Sequence, residues 1–322
     1  PQLQDLAQQL QRQWPCLTPG SHRLLFERGQ LELTLIFDDV ESALKNLVAS
    51  ADAIYLNRLA FCQKTDTRPE RVFRGLGRLA CSGTTLATQR VDESVFDILT
   101  RAGFVLRQQT GFGNKKAMLV GEYRVSRHRA IPAVPTHAIV IGAGLAGCQI
   151  AECLAIRGCK VTLIESLDAP AKATSGNWAG CFLPAPSSDD NLASRFTRAG
   201  FLALQQQLPL LQRHYPDLSW SACGVLQMGK DAASEQIQRQ TVAALQHPWH
   251  HLQYMDRAQA SERCGVNVAA GGWWFPEAGW IRPPSLCQAL LVSVAGSVEY
   301  HWSTKATSLQ QNNSIWYVND AS

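Results

Sequence analysis

His137-Ala-Ile-Val-Ile-Gly142-Ala-Gly144-Leu-Ala-Gly147 is an apolar run of strand length that passes directly into three glycines spaced Gly-x-Gly-x-x-Gly. Each glycine has its own task. Gly142 permits the tight turn at the end of the strand, Gly144 lets the backbone approach a pyrophosphate, and Gly147 lets the following helix pack closely on the strand. A helix through about Arg157, stopped by Gly158, turns its free N-terminal N–H groups and a partial positive charge toward the phosphates. Lys160–Ile164 then reads as a second strand ending on Glu165, whose carboxylate can accept hydrogen bonds from both hydroxyls of a ribose. Strand, glycine loop, helix, strand and acid in this order indicate a dinucleotide-binding unit. An acid at position 165 suits FAD or NAD and disfavours the 2′-phosphate of NADP.

The choice between FAD and NAD turns on Ala173-Thr-Ser175-Gly176-Asn177-Trp-Ala-Gly180, a loop of small residues soon after the second strand. Such a loop lets backbone N–H groups line the flavin side of the pyrophosphate. A Ser-Gly-Asn-like loop at this place resembles the amine-oxidising flavoproteins of the D-amino-acid-oxidase type, which points to FAD. Further on, Leu192–Leu211 reads as a long helix that Pro209 should bend or end. The tail, from Gly271-Gly-Trp-Trp-Phe275 to Ser314-Ile-Trp-Tyr-Val318, is rich in aromatic and β-branched residues, as strands are.

Composition bounds the rest. A chain of 322 residues suggests about two domains. Hydrophobic residues at 46% and charged residues at 17% argue against disorder. No apolar run approaches the roughly 18 residues of a membrane span, so a soluble, cytoplasmic protein without membrane contact is expected. The chain starts at Pro1, not Met, which implies processing or a beginning further upstream. Its ten cysteines are scattered with no Cys-x-x-Cys pair, and free thiols are expected. Cys148, Cys153 and Cys159 read as small buried apolar residues. Residues 1–135 carry 18 Lys/Arg against 13 Asp/Glu, leaving 12 against 13 for the remainder, so a polyanion is better met by the first half. Val125–Pro135 is basic, Pro-containing and aperiodic, and reads as a linker. Before it come a short helix marked by Leu3, Leu6 and Leu10, a hairpin around Arg28-Gly29, and alternating strands and helices from Ala53 to Tyr123. That alternation predicts an α/β layer with a mainly parallel sheet, its last two strands antiparallel.

A closer likeness joins the two halves. Ser175-Gly-Asn177 with Phe182-Leu-Pro184, Cys223-Gly-Val-Leu-Gln227, Gly271-Gly-Trp-Trp-Phe-Pro276 and Gly279-Trp-Ile-Arg-Pro-Pro-Ser-Leu-Cys-Gln-Ala-Leu290 resembles the MnmC family of bifunctional tRNA wobble-uridine enzymes. Leu17-Thr-Pro-Gly-Ser-His-Arg-Leu24, Ser82-Gly-Thr-Thr-Leu-Ala-Thr88 and Gly111-Phe-Gly-Asn-Lys-Lys-Ala-Met-Leu-Val-Gly121 resemble the back part of that family's methyltransferase domain. The resemblance implies an α/β chain whose partial Rossmann-like methyltransferase sheet (1–124) and linker (125–135) precede a FAD-binding doubly wound domain of the D-amino-acid-oxidase type with a β-rich substrate region (136–322). It also implies an activity: FAD-dependent removal of the carboxymethyl group from 5-carboxymethylaminomethyl-2-thiouridine in tRNA, followed in the family by methylation with S-adenosylmethionine.

Departures from the family pattern are specific. Its Asp-Gly-Phe-Ala-Pro signature is met here by Leu56-Asn57-Arg58-Leu59-Ala60-Phe61, so Asn57 stands where the methyl-transfer acid belongs. The loop that cradles S-adenosylmethionine would lie before Pro1, and the closing strand of the flavin domain after Ser322. Poor S-adenosylmethionine binding and no methyl transfer are therefore expected of this chain. Arg282 is a candidate for gripping the substrate carboxylate in bidentate fashion, or else a surface arginine. Two other readings remain open: a tRNA-binding remnant without chemistry, and a small-amine oxidase of the same superfamily.

Three further features invite a function and a plainer account. His247-Pro-Trp-His250-His251 has no acid or cysteine pattern to complete a metal site and reads as a loop, so no metal is expected. Arg68, Arg71, Arg74 and Arg78, with Lys115-Lys116, can track the phosphates of tRNA or form a solvated helix face; DNA is not expected as a partner. Trp273-Trp274-Phe275 can stack a base or fill a core.

Overall fold

The computed structural model describes residues 2–27, 31–56, 69–89, 93–111, 117–125, 135–313 and 315–321. They form two compact units, one of residues 38–133 and one in which residues 1–37 pack with 134–322. Asn57, Arg68, Lys115, Lys116 and most of the linker at 125–135 lie outside the described residues.

The chain opens with helix α1 (Gln2–Arg12) and an antiparallel hairpin, β1 (Gly20–Phe26) and β2 (Leu31–Phe37), in which Gly20 pairs with Phe37 and Phe26 with Leu31. The second unit follows as α2 (Val40–Asn46), β3 (Ala51–Leu56), α3 (Pro69–Leu79), β4 (Ala80–Thr88), α4 (Glu93–Arg101), β5 (Phe104–Thr110) and β6 (Ala117–Tyr123). Helix α2 offers little apolar periodicity, with Val40 and Leu44 only partly buried against the core and no residue fully buried, and its start is capped by Asp39, whose side chain accepts the Ser42 N–H at 3.0 Å. The sheet order is β3-β4-β6-β5, and the expectation of a mainly parallel sheet is corrected. Only β3 and β4 run parallel. The hairpin return places β6 between β4 and β5 and antiparallel to both, so two of the three pairings are antiparallel. Val72 and Phe73 of α3, Leu99 of α4, and Phe104 edge-on to Tyr123 at 5.1 Å fill this core.

The larger unit resumes with β7 (His137–Ile141), α5 (Leu145–Ala155) and β8 (Lys160–Ile164), as the sequence predicts. A 3-10 turn at Thr174–Gly176 leads to β9 (Gly180–Phe182) and α6 (Leu192–His214). Then come β10 (Trp220–Ser221), β11 (Val225–Met228), α7 (Ala232–Leu245), β12 (Gln253–Met255), α8 (Arg257–Cys264), β13 (Gly272–Phe275) and β14 (Gly279–Ile281). Helix α9 (Pro283–Ser293), β15 (Val298–His301), β16 (Lys305–Asn312) and β17 (Ile315–Ala321) complete it. Strands β15, β8 and β7 form a parallel sheet in that order; β10-β14-β9 and β11-β13-β12 are antiparallel sheets that make up the β-rich region.

Helix α6 runs through Pro209 to His214 and does not end at the proline. Pro209 is exposed, while Leu208 and Leu211 beside it are fully or almost fully buried in the core. Burying two leucines offsets the roughly 3 kcal/mol that a proline costs inside a helix. Phe275 is fully buried in the same core, and Trp274 before it is 6% exposed, packed against Gly224 with the Arg263 guanidinium 5.2 Å from its ring, so both rings are withdrawn from any base-stacking role. Cys148 on α5 and Cys287 on α9 meet there with both thiols buried, and Cys159 is buried too, whereas Cys153 is only half-buried.

Candidate functional site

Gly142 leaves β7 with φ +95°, a backbone conformation that glycine adopts without strain, and donates its N–H to the Ile164 carbonyl at 2.8 Å. The turn brings the Gly142 carbonyl against α5. A Cβ at Gly147 would lie 1.8 Å from that oxygen, so only hydrogen fits at position 147. Gly144 is the N-cap of α5 and has no capping side chain of its own. Ser175 supplies what is missing: its Oγ accepts the Leu145 N–H at 3.1 Å, and a Cβ on Gly144 would meet the same oxygen at 3.0 Å. The loop of residues 173–180 therefore folds back onto the glycine turn. A hydroxyl oxygen sits at the helix N-terminus, where the unpaired N–H groups of the first turn favour a phosphate oxygen.

Glu165 closes the other side. Its Oε2 accepts the Ala143 N–H at 2.7 Å, and its Oε1 accepts from Ser166 Oγ at 2.9 Å and the Leu167 N–H at 3.0 Å. Burial pushes this carboxyl up, but the hydrogen bonds from Ala143, Leu167 and Ser166 outweigh it and hold the group below the usual carboxylate range. Glu165 is thus ionised and half-buried, with acceptor capacity left on Oε2. Sequence spacing identified this acid; the Ser166 and Leu167 donors that orient it were not legible, because they depend on how the chain turns after β8.

The remaining predicted residues gather around the same loop. Gly176 packs against the Ala171 carbonyl, which a Cβ would approach to 2.9 Å, and the Ala171 N–H donates to the Ala143 carbonyl at 2.9 Å. Asn177 is exposed and donates through Nδ2 to the Thr174 carbonyl at 3.4 Å, closing the 3-10 turn. Arg282, the N-cap of α9, is exposed and its guanidinium carbon lies 5.1 Å from the centre of the Trp178 ring. The structure therefore joins Gly142, Gly144, Gly147, Glu165 and Ser175 in direct contact, with Gly176 and Asn177 on the same loop and Arg282 reached through Trp178. The glycine turn at the N-terminus of α5 and the ionised acid fit the pyrophosphate and a ribose of FAD.

A second cluster lies elsewhere in the same unit. Arg198 is 3% exposed; its guanidinium bonds both oxygens of Asp190, at 2.6 and 3.1 Å, and the Pro19 carbonyl at 2.7 Å. His247 and His251 share with it the lining of a cavity of about 10 Å³, a space the size of one water molecule. Burial, with the charge of Arg198, lowers His247 to about 4; burial, with the charges of His247 and Arg198, lowers His251 to about 3. Among the described residues no group of three His, Cys, Asp or Glu is placed to hold a metal ion. In the smaller unit two arginines of the stripe have protein partners. Arg71 pairs with Glu41 at 2.8 Å, and Arg78 caps α2 by donating to the carbonyls of Leu44 and Leu47. Arg74 is exposed and forms no ion pair with another described residue.

Residues 137–322 match the protein family described as FAD dependent oxidoreductase, and residues 1–124 match that described as S-adenosyl-L-methionine-dependent methyltransferase. The first match covers more than half of the chain, which belongs to the FAD dependent oxidoreductase family. Over its full 322 residues it is 43% identical to the tRNA 5-methylaminomethyl-2-thiouridine biosynthesis bifunctional protein MnmC of Azoarcus sp. (strain BH72), of which it covers 51%. The protein of the same name from Ralstonia nicotianae is 39% identical over 325 residues, 99% of this chain and 50% of that protein. The chain thus spans about half the length of the curated relatives it matches. Among solved structures, glycine oxidase from Geobacillus kaustophilus aligns with 57% of this chain and 51% of its own at 18% identity, with a TM-score of 0.48. No helix among the described residues is long and apolar enough to cross a membrane.

Proposed function

We propose that this chain carries the FAD-dependent oxidation of a tRNA wobble-uridine modification, the removal of the carboxymethyl group from 5-carboxymethylaminomethyl-2-thiouridine. The observation that carries the reading is the glycine turn closed by Glu165 and Ser175, in a chain that matches both a FAD dependent oxidoreductase and a methyltransferase family. Gly142, Gly144 and Gly147 would let the pyrophosphate reach the N-terminus of α5, Glu165 would hold the ribose, and Ser175, Gly176 and Asn177 would flank the flavin side. Bound there, FAD supplies the two-electron acceptor for the C–H bond beside the substrate amine, after which water cleaves the resulting imine. Arg282 would receive the substrate carboxylate. Residues 1–124, 125–135 and 136–322 form the methyltransferase-like part, the linker and the oxidoreductase part. Asn57 cannot supply a carboxylate, so methyl transfer by this chain is not expected. tRNA is the macromolecular partner and the cytoplasm the place of action.

Anaerobic reduction of the flavin-loaded protein tests the reading. Bleaching of the flavin absorbance by tRNA bearing the carboxymethylaminomethyl group, and not by glycine or sarcosine, is expected. Bleaching by the small amines alone would replace it with an amine oxidase of free substrates, and a protein that takes up no flavin would leave a remnant without chemistry.

A further inference from the structure

Trp178 is 82% exposed, more than any other aromatic ring among the described residues. Single bared aromatics are common on protein surfaces, so exposure alone decides nothing. Its surroundings are more telling. Trp178 lies three residues beyond Ser175, which caps the helix assigned to the pyrophosphate, and two before β9. Strand β9 pairs with β14 so that Gly180 faces Ile281 and Cys181 faces Trp280, which sets the residue after β14, Arg282, against the residues just before β9. Arg282 is anchored through its backbone: its N–H donates to the Ser219 carbonyl at 2.9 Å, and its own carbonyl accepts from Ser285 Oγ at 2.9 Å and the Leu286 N–H at 3.2 Å. Pro283 fixes the first turn of α9 immediately after it. The guanidinium lies over the indole with no carboxylate paired to it among the described residues. An exposed ring and a cation on an anchored backbone thus lie together at the edge of the cofactor loop.

We infer that Trp178 is the stacking platform for the wobble base: the uracil ring lies on the free face of the indole while the carboxylate at the end of its substituent reaches the Arg282 guanidinium. The assignment rests on the wobble-uridine reading above and deepens it, since it makes the site selective for a planar base that carries an anionic arm. The arm is four bonds long at about 1.5 Å each, long enough to pass the edge of an indole. Base–aromatic stacking tolerates any base, so Trp178 supplies affinity and Arg282 supplies the choice of the carboxymethylated form. Both side chains are exposed, so substitution leaves the core intact.

The flavin-loaded protein and its Trp178→Ala and Trp178→Phe variants test the inference. With tRNA carrying the carboxymethylaminomethyl group, Trp178→Ala is expected to raise KM roughly five- to a hundredfold with FAD affinity unchanged, and Trp178→Phe to recover most of the loss. Indole fluorescence should also be quenched saturably by the 5-carboxymethylaminomethyl-2-thiouridine nucleoside in the parent protein, and much less in Trp178→Phe. A Trp178→Ala variant that loses FAD affinity while keeping KM would assign the ring to the cofactor, and one that changes neither would leave it a bare surface residue; either overturns the inference. If the parent protein binds FAD but no tRNA reduces it, the wobble-uridine reading fails by itself, and the nucleoside titration still decides the role of Trp178.

Discussion

At Gly147 the dinucleotide loop has no room for a methyl group. The 1.8 Å between a would-be Cβ and the Gly142 carbonyl cannot be relieved by a rotamer, because both sides are backbone. Gly144 is different: its Cβ would meet only the tip of Ser175, at 3.0 Å. Gly147→Ala is therefore expected to lower unfolding stability by about 2 kcal/mol or more and to lose flavin, whereas Gly144→Ala keeps the fold and mainly weakens cofactor binding. Urea unfolding midpoints with retained flavin absorbance check the order, which equal effects of the two would contradict. These residues were legible in the sequence because a turn that must approach a phosphate leaves a spacing of glycines that few other tasks require. Trp178 was not legible as a site residue, since its role depends on Arg282, more than a hundred positions away, being brought beside it by strand pairing.

Among the elements, α6 carries the most that the sequence hid. Arg198 reads as one more charged residue on a helix, yet it is buried between Asp190 and the Pro19 carbonyl, and its charge acts on His22, His247 and His251. His22, too, is lowered, first by burial, while its hydrogen bond to the Thr18 carbonyl and Arg198 act in opposite directions. Asp190 is the counter-ion: burial raises its carboxyl, and the bonds and charge of Arg198 more than reverse that. His247 and His251 are neutral in the fold at neutral pH, with folded values near 4 and 3 against an ordinary 6.5. The unfolded chain therefore takes up more protons than the folded one below pH ~6.5. Stability is full above that value and falls as pH drops through the folded values. Both histidines therefore cost stability across this window, the more deeply buried His251 the more. Denaturant unfolding of the parent and of His251→Leu between pH 7 and pH 4 should show a shallower loss in the variant; parallel curves would contradict the account. The helix itself was predicted from its leucines, but its continuation past Pro209 to His214 was not, because burial on either side of the proline cannot be seen in one dimension.

On the scale of the molecule, sequence similarity and packing divide the chain differently. The methyltransferase match runs over residues 1–124, whereas residues 1–37 pack with 134–322. The Pro19 carbonyl on Arg198, the Gln13 carbonyl on Gln206, Cys16 against His250 at 3.4 Å and Glu32 paired with Arg157 at 3.3 Å are among the contacts that tie this segment down. No periodicity in the first 37 residues signals a partner so distant in sequence. In the larger unit, by contrast, β7, α5, β8 and α6 were readable because glycine punctuation and apolar spacing mark them locally, whereas α7, α8, α9 and the short strands between them were not, since each packs by tertiary contacts that leave little periodicity. What the whole account depends on is the occupant of the loop at Gly142–Gly147 and Glu165. Titration of cofactor-free protein with FAD, followed by flavin fluorescence, addresses it directly in the parent and in Glu165→Ala. The account predicts saturable binding of one equivalent by the parent, weakened tenfold or more, about 1.4 kcal/mol, in the variant. Absence of saturable binding by the parent, or equal affinity in both, would contradict it.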